Sequence, residues 1–523
     1  MQAFGGMGST QSMLSQTIAP PYPALPASFN LAQHVLARAS LQPDAVALQV
    51  LGAANDEVWT YGQVLRAVQG IATGLRVASL APGDRVLMRL GNCVEFPLLF
   101  LGCIAAGLVP VPTSAMLTGG EVAKLCDLVQ PALIVAGPGV ALPDAPPCAV
   151  LAAADLAAMH DLPPYPFVQG CANRLAYIIF TSGTSGRPQA VAHAHRAILG
   201  RAMMLQGWYG LRASDKVLHA GAFNWTYTLG TGLMDPWTVG ATALIPAPGT
   251  GVEALPALLA RAGATIFAAA PGVYRQMLRG PLPALPALRH GLSAGEALPS
   301  VTRAAWTTAT GTPIFEAFGM SEISTFVSGS PANPAPDGTT GYAQPGRHVA
   351  VLDVHGKPVA RGTPGVLAVW RDDPGLFLGY YRDDAATAAR FKGDWYLTGD
   401  IAKMAADGAI TYLGRNDDMM NAGGFRVSPM EVESVMAQLC GITDCAVVEV
   451  EVAPGSTIIA CVYAGPASLD AGTLAAHASA HLARYKQPRA FHHMPTLPRG
   501  ANGKLNRRIL RENIADASSN PAK

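Results

Sequence analysis

Apolar and polar positions change period repeatedly along the first part of the chain, from about Phe29 to Gly170. Short apolar runs typical of strands are separated by longer stretches in which apolar residues recur at helical spacing. This alternation predicts an α/β sheet. The predicted strands are Ala45 to Val50, Arg85 to Leu90, Leu108 to Pro112 and Ala132 to Ala136, and the predicted helices are Tyr61 to Val77 and Glu95 to Ala106.

Units of the same kind recur from Lys216 to Pro246 and from Ala264 to Phe318, which predicts a second α/β sheet subdomain. The segment from Pro331 to Val369 is rich in glycine and proline and contains short alternating runs. Such a pattern favours a small β subdomain packed on the sheets. We therefore expect an N-terminal tail over residues 1–28 and a large domain over residues 29–414.

The pattern changes again after Gly414. Ser428 to Leu439 has the spacing of an amphipathic helix, and Ser428 followed by Pro429 is a helix-start signal. Two strand-like runs follow, Cys445 to Val452 and Thr457 to Tyr463. These elements predict a compact α+β domain over residues 418–513, followed by a tail over residues 514–523.

Composition and charge exclude several classes of function. The 523 residues include 36 Lys and Arg against 35 Asp and Glu, so the net charge of +1 argues against bulk attraction to nucleic acid or acidic lipid. Although 50% of the residues are hydrophobic, no uncharged apolar run approaches the roughly 20 residues of a membrane helix. The N-terminus also lacks the basic and apolar segments of a secretory signal, so we expect no membrane span and no leader.

The eight cysteines are scattered, without a CxxC pair or metal-ligand spacing, which predicts free thiols in a reducing cytoplasm. His193 with His195, and His492 with His493, lack a Cys, Asp or Glu that would complete a metal site. The basic residues near the C-terminus fit a solvated face or helix end better than a nucleic-acid patch; they are Arg499, Lys504, Arg507 and Arg508.

The segment YIIFTSGTSGRPQAV, from Tyr177 to Val191, is typical of a phosphate-binding loop. An apolar, β-branched run leads into hydroxyl and glycine residues that can close on an anion: Thr181, Ser182, Gly183, Thr184, Ser185 and Gly186. The spacing is not that of a Walker loop, because no Lys followed by Ser or Thr opens a helix. The loop is predicted to lead into a second strand at Ala190 to His195, with a helix from about Arg196 to Trp208. Taken alone, the same residues are equally typical of an ordinary turn.

Five further motifs follow this loop in order: SAGEALP from Ser293, EAFGMSE from Glu316, GDWYLTGD from Gly393, GRNDDMMNAGGFRVSPMEVE from Gly414 and PRGANGKLNRR from Pro498. Together the six motifs span roughly residues 30 to 510, and the chain resembles the adenylate-forming (AMP-binding) superfamily. This superfamily contains acyl-CoA synthetases, peptide-synthetase adenylation domains and luciferases. The resemblance implies ATP, Mg²⁺ and coenzyme A as ligands, and a small, mobile C-terminal domain.

The resemblance also assigns residues to the first half-reaction, in which a carboxylate and ATP form an acyl-adenylate. Glu322 matches the glutamate that helps to hold Mg²⁺, and Ser321 beside it keeps the hydroxyl of a more common Thr. Lys504, after the turn pair Asn502 and Gly503, matches the lysine that touches the carboxylate and the α-phosphate. The other matching nucleotide contacts are Gly295, Glu296, Phe318 on adenine, Gly319, and Asp400 with Arg415 on the ribose, although Arg415 could instead be a salt-bridge partner.

For the second half-reaction, the resemblance implies that the small domain rotates about a hinge over residues 415–417, with Asp417 at the matching position. Rotation would withdraw Lys504 and bring in Gly423 and Gly424, whose missing side chains leave room for a pantetheine tunnel. Arg426 would steady this loop or a phosphate, or form a structural ion pair. The thiol then attacks the acyl-adenylate and AMP leaves.

One position departs from the family pattern. The phosphate loop usually continues with Lys and Gly where this chain has Gln189 and Ala190. Gln189 can donate a hydrogen bond but carries no charge, so weaker phosphate binding is expected unless Arg187 compensates. The other motif residues are retained, which favours an active enzyme over a weakened nucleotide-binding homologue.

The segments FNWTYTLGTG from Phe223 and FAAAPGVYRQML from Phe267 are most similar to benzoate and related aromatic or medium-chain acyl-CoA ligases. The expected acyl pocket is lined by Trp225, Tyr227, Ala294 and Phe326, which suits a flat or compact acid, although these could equally be core residues. A carrier protein as acyl acceptor and a luciferase-like oxygenase remain alternatives. A homodimer is also a hypothesis.

Overall fold

The computed structural model describes residues 13–17, 19–52, 55–181, 188–416, 418–422, 425–453, 456–500 and 505–519. The chain divides into two compact units. The large unit comprises Thr17–His348 and Val369–Tyr396, and the small unit comprises the described residues of Met1–Gln16, Val349–Ala368 and Leu397–Lys523. The domain limits expected from the sequence stay predictions.

The large unit contains a nine-stranded sheet among its described residues. Its interior strands run parallel, and antiparallel strands close both edges. The parallel strands are nearly continuous apolar runs because both of their faces are buried. In spatial order the strands are Tyr342–Ala343, Ser324–Ser328, Ile314–Met320, His290–Ala294, Ile266–Ala269, Lys216–His219, Thr242–Pro246, Val46–Leu51 and Glu57–Thr60.

A second sheet of the large unit has four parallel strands, in the order Val109–Pro112, Arg85–Arg89, Leu133–Ala136 and Ala149–Ala152. Helix Glu95–Ala105 follows the strand Arg85–Arg89 and is apolar all round, so every residue after Glu95 is buried. Two α/β sheets are therefore present as predicted, but the assignment of the strand at Ala45 to Val50 to the first sheet is wrong, because Val46–Leu51 pairs with Thr242–Pro246 in the nine-stranded sheet.

Two helices of the large unit, Tyr61–Val77 and Glu95–Ala105, begin and end within one residue of where the sequence places them. Helix Tyr61–Val77 matches its prediction at both ends, because Thr60 and Gln63 form a capping box at its start. The other α-helices of this unit are Leu31–Val35, Gly119–Val129, Ala197–Met204, Thr226–Leu229, Asp235–Val239, Leu255–Ala262, Pro271–Met277, Ser300–Thr310 and Asp384–Ala388. Shorter 3₁₀ and π-helical turns are Ala37–Ser40, Ala153–Met159, Leu205–Tyr209, Gly230–Met234 and Val252–Ala254.

A third sheet of the large unit carries the predicted phosphate loop. Strand Leu175–Thr181 pairs antiparallel with Gln189–Ala194, which pairs in turn with Gly379–Tyr380. The second strand predicted after the loop is confirmed. The following helix, Ala197–Met204, continues into the π-helical turn Leu205–Tyr209. Together they cover the helix predicted from about Arg196 to Trp208.

The small unit combines β sheets with helices, which confirms the predicted α+β class. Ser428 caps the helix Pro429–Met436 by accepting a hydrogen bond from Glu431 N. The remaining helices are Ala471–His481, Arg507–Ser519 and the 3₁₀ turn Arg484–Lys486. The strands lying in this unit in whole or in part are Val349–Leu352, Gly365–Trp370, Trp395–Met404, Ile410–Arg415, Met420–Ala422, Phe425–Val427, Asp444–Ala453, Ser456–Ala464 and Ala490–His493.

The small β sheet expected from Pro331 to Val369 is present, but its strands come from a wider range. Val349–Leu352 and Gly365–Trp370 pair with later strands up to Ile410–Arg415. Tyr342–Ala343 instead joins the edge of the nine-stranded sheet, because it pairs with Ser324–Ser328. A two-residue strand carries too little periodicity for the sequence to assign it to a sheet.

In the described part of the chain, no helix is long and apolar enough to cross a membrane. No group of three or more His, Cys, Asp or Glu side chains in that part of the chain could hold a metal ion. All eight cysteines lie in it and are free thiols, and Cys171 and Cys440 are exposed.

Candidate active site

The predicted phosphate loop connects two antiparallel strands, Leu175–Thr181 and Gln189–Ala194. Thr181 is the last residue of its strand and lies directly opposite Gln189, the first residue of the returning strand. Both side chains are half-buried. The predicted loop therefore starts and ends at one antiparallel pair of residues.

Several predicted site residues lie outside the described residues: Ser182, Gly183, Thr184, Ser185, Gly186, Arg187, Asp417, Gly423, Gly424 and Lys504. The side chain of Arg426 also lies outside the description, although its backbone belongs to strand Phe425–Val427. Their assigned roles stay predictions.

Glu322 is a buried carboxylate in the turn that joins two strands of the nine-stranded sheet, Ile314–Met320 and Ser324–Ser328. The Tyr380 hydroxyl donates a hydrogen bond of 2.7 Å to Glu322 Oε1, and Arg390 Nε donates one of 3.3 Å to the Tyr380 oxygen. Burial, and next the charge of Glu322, raise the pKa of Tyr380, so this hydroxyl stays protonated and keeps donating. A carboxylate oriented in this way suits a hard cation such as Mg²⁺.

The backbone around Glu322 is sharply bent. The Cβ of any other residue at Gly319 would lie 2.3 Å from Ser324 O, so the strands approach too closely there for a side chain. Ser324 has a φ of 68°, which is uncommon for a residue other than glycine. Arg201 Nη1 donates a hydrogen bond of 2.5 Å to Ser324 Oγ and so holds this conformation.

A buried ion pair supports the bend. Arg201 and Asp235 are joined by hydrogen bonds of 2.8 Å and 2.6 Å, and both side chains are almost fully buried. Tyr209 donates a further hydrogen bond of 2.7 Å to Asp235 Oδ2. Sequence reasoning missed this network and Tyr380, because no local spacing connects these residues.

The remaining nucleotide contacts predicted in the large unit lie at or just beyond the ends of adjacent strands. Phe318 contacts Phe326 edge-to-face, with ring centroids 5.4 Å apart. Gly295 has a φ of 99° and turns the chain directly after strand His290–Ala294, which glycine tolerates readily. Glu296 and Ser321 are half-buried. The carboxyl ends of parallel strands are where α/β sheets bind ligands.

The predicted acyl-pocket residues fall into two groups. Trp225, Tyr227 and Ala294 belong to one apolar cluster, whose other members include Trp208 and Phe315. The rings of Trp225 and Tyr227 are perpendicular, with centroids 5.2 Å apart. The Tyr227 hydroxyl donates a hydrogen bond of 3.1 Å to Leu292 O. Phe326 does not belong to this cluster, and its ring packs against Phe318.

In the small unit, the predicted ribose ligand Asp400 is paired with its neighbours. Arg415 Nη1 lies 3.7 Å from Asp400 Oδ2, and the two residues are opposite each other across an antiparallel pair. Tyr412 donates a hydrogen bond of 3.3 Å to Asp400 Oδ1. Burial, and next the charge of Asp400, raise the pKa of Tyr412 well above its usual value. Arg415 is therefore a salt-bridge partner of the carboxylate, which was one of its two expected roles.

The described basic residues near the C-terminus are paired with carboxylates. Arg507 lies 2.5 Å from Glu433 and Arg499 lies 2.8 Å from Asp444. Arg508 forms an exposed pair with Glu512, one helical turn away. These contacts support a structural role and not a nucleic-acid patch.

Comparison with known proteins gives family matches over most of the chain. The sequence profile of the AMP-binding enzyme family matches residues 35–381. The profile of the AMP-binding enzyme C-terminal domain matches residues 431–504.

Individual relatives match over nearly their whole length. A benzoate–CoA ligase of Thauera aromatica is 29% identical, over 96% of this chain and 99% of that protein. The mitochondrial acyl-coenzyme A synthetase ACSM2B of Homo sapiens is 28% identical, over 93% of this chain and 91% of that protein. The crystal structure of a benzoate CoA ligase from Burkholderia xenovorans LB400 superposes with a TM-score of 0.83 at 27% identity, over 92% of this chain and 100% of that one.

Proposed function

The chain belongs to the AMP-binding enzyme family, and on that premise we propose that it is an AMP-forming acid–CoA ligase. It joins a carboxylic acid to coenzyme A with cleavage of ATP to AMP and pyrophosphate. The observation that carries the proposal is the buried Glu322 carboxylate, held by Tyr380 in the turn that also contains Ser321. A buried, oriented carboxylate is poorly explained by stability alone, because burying its charge is costly.

In the first half-reaction, an oxygen of the substrate carboxylate forms a bond to the α-phosphorus of ATP. The bond from that phosphorus to the bridging oxygen breaks, and pyrophosphate leaves. Negative charge accumulates in this step, so donors placed around the phosphates lower the barrier. The hydroxyls and amides of the loop after Thr181 and the ammonium of Lys504 supply them. Glu322 would hold Mg²⁺, which would neutralise charge on the phosphates.

In the second half-reaction, the thiol sulfur of coenzyme A bonds to the acyl carbon of the adenylate. The bond from that carbon to the oxygen of AMP breaks, AMP leaves and the thiol proton passes to solvent. Hinge rotation at Asp417 exchanges Lys504 for Gly423 and Gly424 at the reacting atoms. These glycines present backbone only, which leaves space for a narrow pantetheine arm.

The acid is aromatic and compact. Support comes from the cluster in which Trp225, Tyr227 and Ala294 pack together, since planar rings and a small residue line a flat cavity more readily than a long one. The similarity to a benzoate–CoA ligase over nearly the full chain points the same way.

Product identification tests the acceptor. The protein is incubated with ATP, Mg²⁺ and benzoate, either with coenzyme A or with a phosphopantetheinylated carrier protein, and the products are identified by mass spectrometry. We expect benzoyl-CoA and AMP in the first mixture. An acyl-adenylate that accumulates with coenzyme A but is consumed by the carrier protein would replace the proposed acceptor.

A second candidate rests on Gln189. This uncharged residue lies opposite Thr181, at the point where the phosphate loop returns to the sheet. A homologue that binds nucleotides with weakened turnover would show ATP binding by calorimetry but no pyrophosphate release with any acid.

Two further expectations from the sequence stay predictions: a homodimer, and a cytoplasmic location inferred from the cysteines.

A further inference from the structure

Arg390 is a half-buried cation next to the carboxylate proposed to hold Mg²⁺. Its Nε donates a hydrogen bond of 3.3 Å to the Tyr380 oxygen, and the Tyr380 hydroxyl donates one of 2.7 Å to Glu322 Oε1. The guanidinium and the carboxylate are therefore joined through a single hydroxyl group. Withdrawing a cation from water is costly, and here it is placed against a tyrosine and not directly against a carboxylate.

The local fold fixes Arg390 beside Tyr380. Thr387, in helix Asp384–Ala388, accepts a hydrogen bond of 2.8 Å from Tyr380 N through its Oγ1. The backbone N–H of Arg390 donates one of 3.0 Å to Thr387 O. The Cβ of any other residue at Gly379 would lie 2.9 Å from Thr387 Oγ1, so the chain packs closely on this threonine. Thr387 thus holds both residues in one compact segment.

Tyr396 is a second acceptor near Tyr380. The rings of both tyrosines pack edge-to-face on Phe377, with centroids 5.1 Å and 5.4 Å away. The Tyr396 hydroxyl is buried and has no hydrogen-bond partner among the described residues. Burial, and next the charges of Glu322 and Tyr380, raise the pKa of Tyr396 well above its usual value. The Tyr380 proton therefore has a place to go other than Glu322.

The chemistry of the guanidinium decides where that proton goes. An arginine side chain has five N–H donors and no acceptor, whereas a tyrosine hydroxyl has one proton to donate and can also accept. Because Arg390 donates to the Tyr380 oxygen, the hydroxyl is oriented with its proton toward Glu322. The positive charge also polarises the hydroxyl, which strengthens the hydrogen bond that it donates.

We propose that Arg390 is a positioning residue for Mg²⁺, because it directs the Tyr380 hydroxyl onto Glu322 and so keeps this carboxylate in the orientation that binds the metal. The inference rests on the proposed ligase function and adds a residue that touches neither the metal nor the substrates. Mg²⁺ is usually bound by one or two carboxylates together with substrate phosphates, so the orientation of a single carboxylate matters. Residues that support metal ligands in this way commonly change metal affinity when they are replaced.

The sign of the effect separates this role from simple electrostatics. Removal of a positive charge near Glu322 would by itself strengthen the binding of a cation. Loss of the orienting hydrogen bond would weaken it. The two explanations therefore predict opposite changes in metal affinity for the same variant.

The test measures metal binding without turnover. Mn²⁺ stands in for Mg²⁺, and its Kd is obtained by electron paramagnetic resonance in the presence of a non-hydrolysable ATP analogue. In Arg390→Met the Kd should rise by about fivefold, the effect of one typical net hydrogen bond. The Mg²⁺ concentration for half-maximal pyrophosphate release should rise in parallel, and urea unfolding verifies that the variant is folded.

Two further variants at the same position separate the orienting role from the loss of an arginine as such. Arg390→Lys keeps a cation that can only donate, so it should remain close to the wild-type Kd. Arg390→Gln carries an amide oxygen that can accept the Tyr380 proton, so it should weaken Mn²⁺ binding as Arg390→Met does. If Arg390→Met does not fold, the comparison of Arg390→Gln with Arg390→Lys still decides the inference.

Arg371→Met is the matched control. The Arg371 guanidinium lies 5.4 Å from the ring centroid of Phe391, the residue after Arg390, and pairs with the exposed Asp394 at 3.7 Å. It makes no contact with Tyr380 in the described part of the chain. We expect this variant to keep the wild-type Kd for Mn²⁺.

A double variant tests whether Arg390 acts through Tyr380. In a Tyr380→Phe background, Arg390→Met should cause no further loss of Mn²⁺ affinity, because the hydroxyl that it orients is absent. An unchanged or lower Kd in Arg390→Met, or an equal further rise in the Tyr380→Phe background, overturns the inference and leaves the ligase intact. No turnover of any acid by the wild-type protein contradicts the ligase and this inference together.

Discussion

Tyr380 donates a hydrogen bond of 2.7 Å to Glu322, across 58 residues of sequence. Glu322 lies in the turn after strand Ile314–Met320, and Tyr380 lies in a strand of a different sheet, the one that carries the phosphate loop. This bond therefore ties the carboxylate proposed to hold Mg²⁺ to the scaffold of the loop proposed to hold the phosphates.

Tyr380→Phe removes this bond while keeping the ring. We expect the Mg²⁺ concentration for half-maximal pyrophosphate release to rise by about tenfold, because a hydrogen bond to a charged group contributes roughly 1.5–3 kcal/mol. The KM for the acid should be unchanged. Tyr381→Phe, one residue further along, is the control and should keep the wild-type Mg²⁺ dependence. An unaltered Mg²⁺ dependence in Tyr380→Phe would remove Tyr380 from the proposed positioning role.

Asp235→Ala should destabilise the protein by about 3–5 kcal/mol, because it leaves the buried Arg201 charge unpaired. Urea unfolding followed by circular dichroism measures the change. The control is Asp161→Ala, which breaks an exposed pair with Arg66 at 4.0 Å and should cost less than about 1 kcal/mol. Equal effects of the two variants would show that the buried pair contributes no more than a surface pair.

Gln189→Lys restores the charge usual in the family at the end of the phosphate loop. The KM for ATP should fall by about fivefold, since a charged donor contributes roughly 1 kcal/mol more than a neutral one. Gln169→Lys adds the same charge at an exposed position and is the control for net charge. If both variants have the wild-type KM, position 189 does not contact the phosphates.

Lys504→Ala should slow acyl-adenylate formation by about 10²–10³-fold, because a donor to the developing negative charge is lost. Thioester formation from a preformed acyl-adenylate should remain at the wild-type rate. Arg508→Ala removes a charge nearby whose pair with Glu512 is exposed, and it should affect neither step. Loss of both half-reactions in Lys504→Ala would contradict a role limited to the first.

Local signals account for the parts of the fold that the sequence predicts well. Helix Tyr61–Val77 has a clear apolar period and a capping box, and Pro429–Met436 follows a capping serine and a proline. The strands on either side of the phosphate loop are likewise marked by apolar runs that end at polar residues.

Long-range contacts account for what the sequence does not predict. Two contacts join residues on separate elements: the hydrogen bond from Tyr380 to Glu322 and the ion pair of Arg201 with Asp235. No spacing along the sequence predicts such contacts. The positive φ of Ser324 also cannot be predicted from the sequence, because serine rarely adopts it. The conformation is held by Arg201, which is distant in sequence.

The most direct test of the central claim is the release of pyrophosphate and AMP from ATP and Mg²⁺ with a panel of benzoates, cinnamates and straight-chain acids, each with and without coenzyme A. We predict release that depends on an aromatic acid and that requires coenzyme A for multiple turnovers. Absence of release with every acid would contradict the ligase and favour the nucleotide-binding homologue suggested by Gln189.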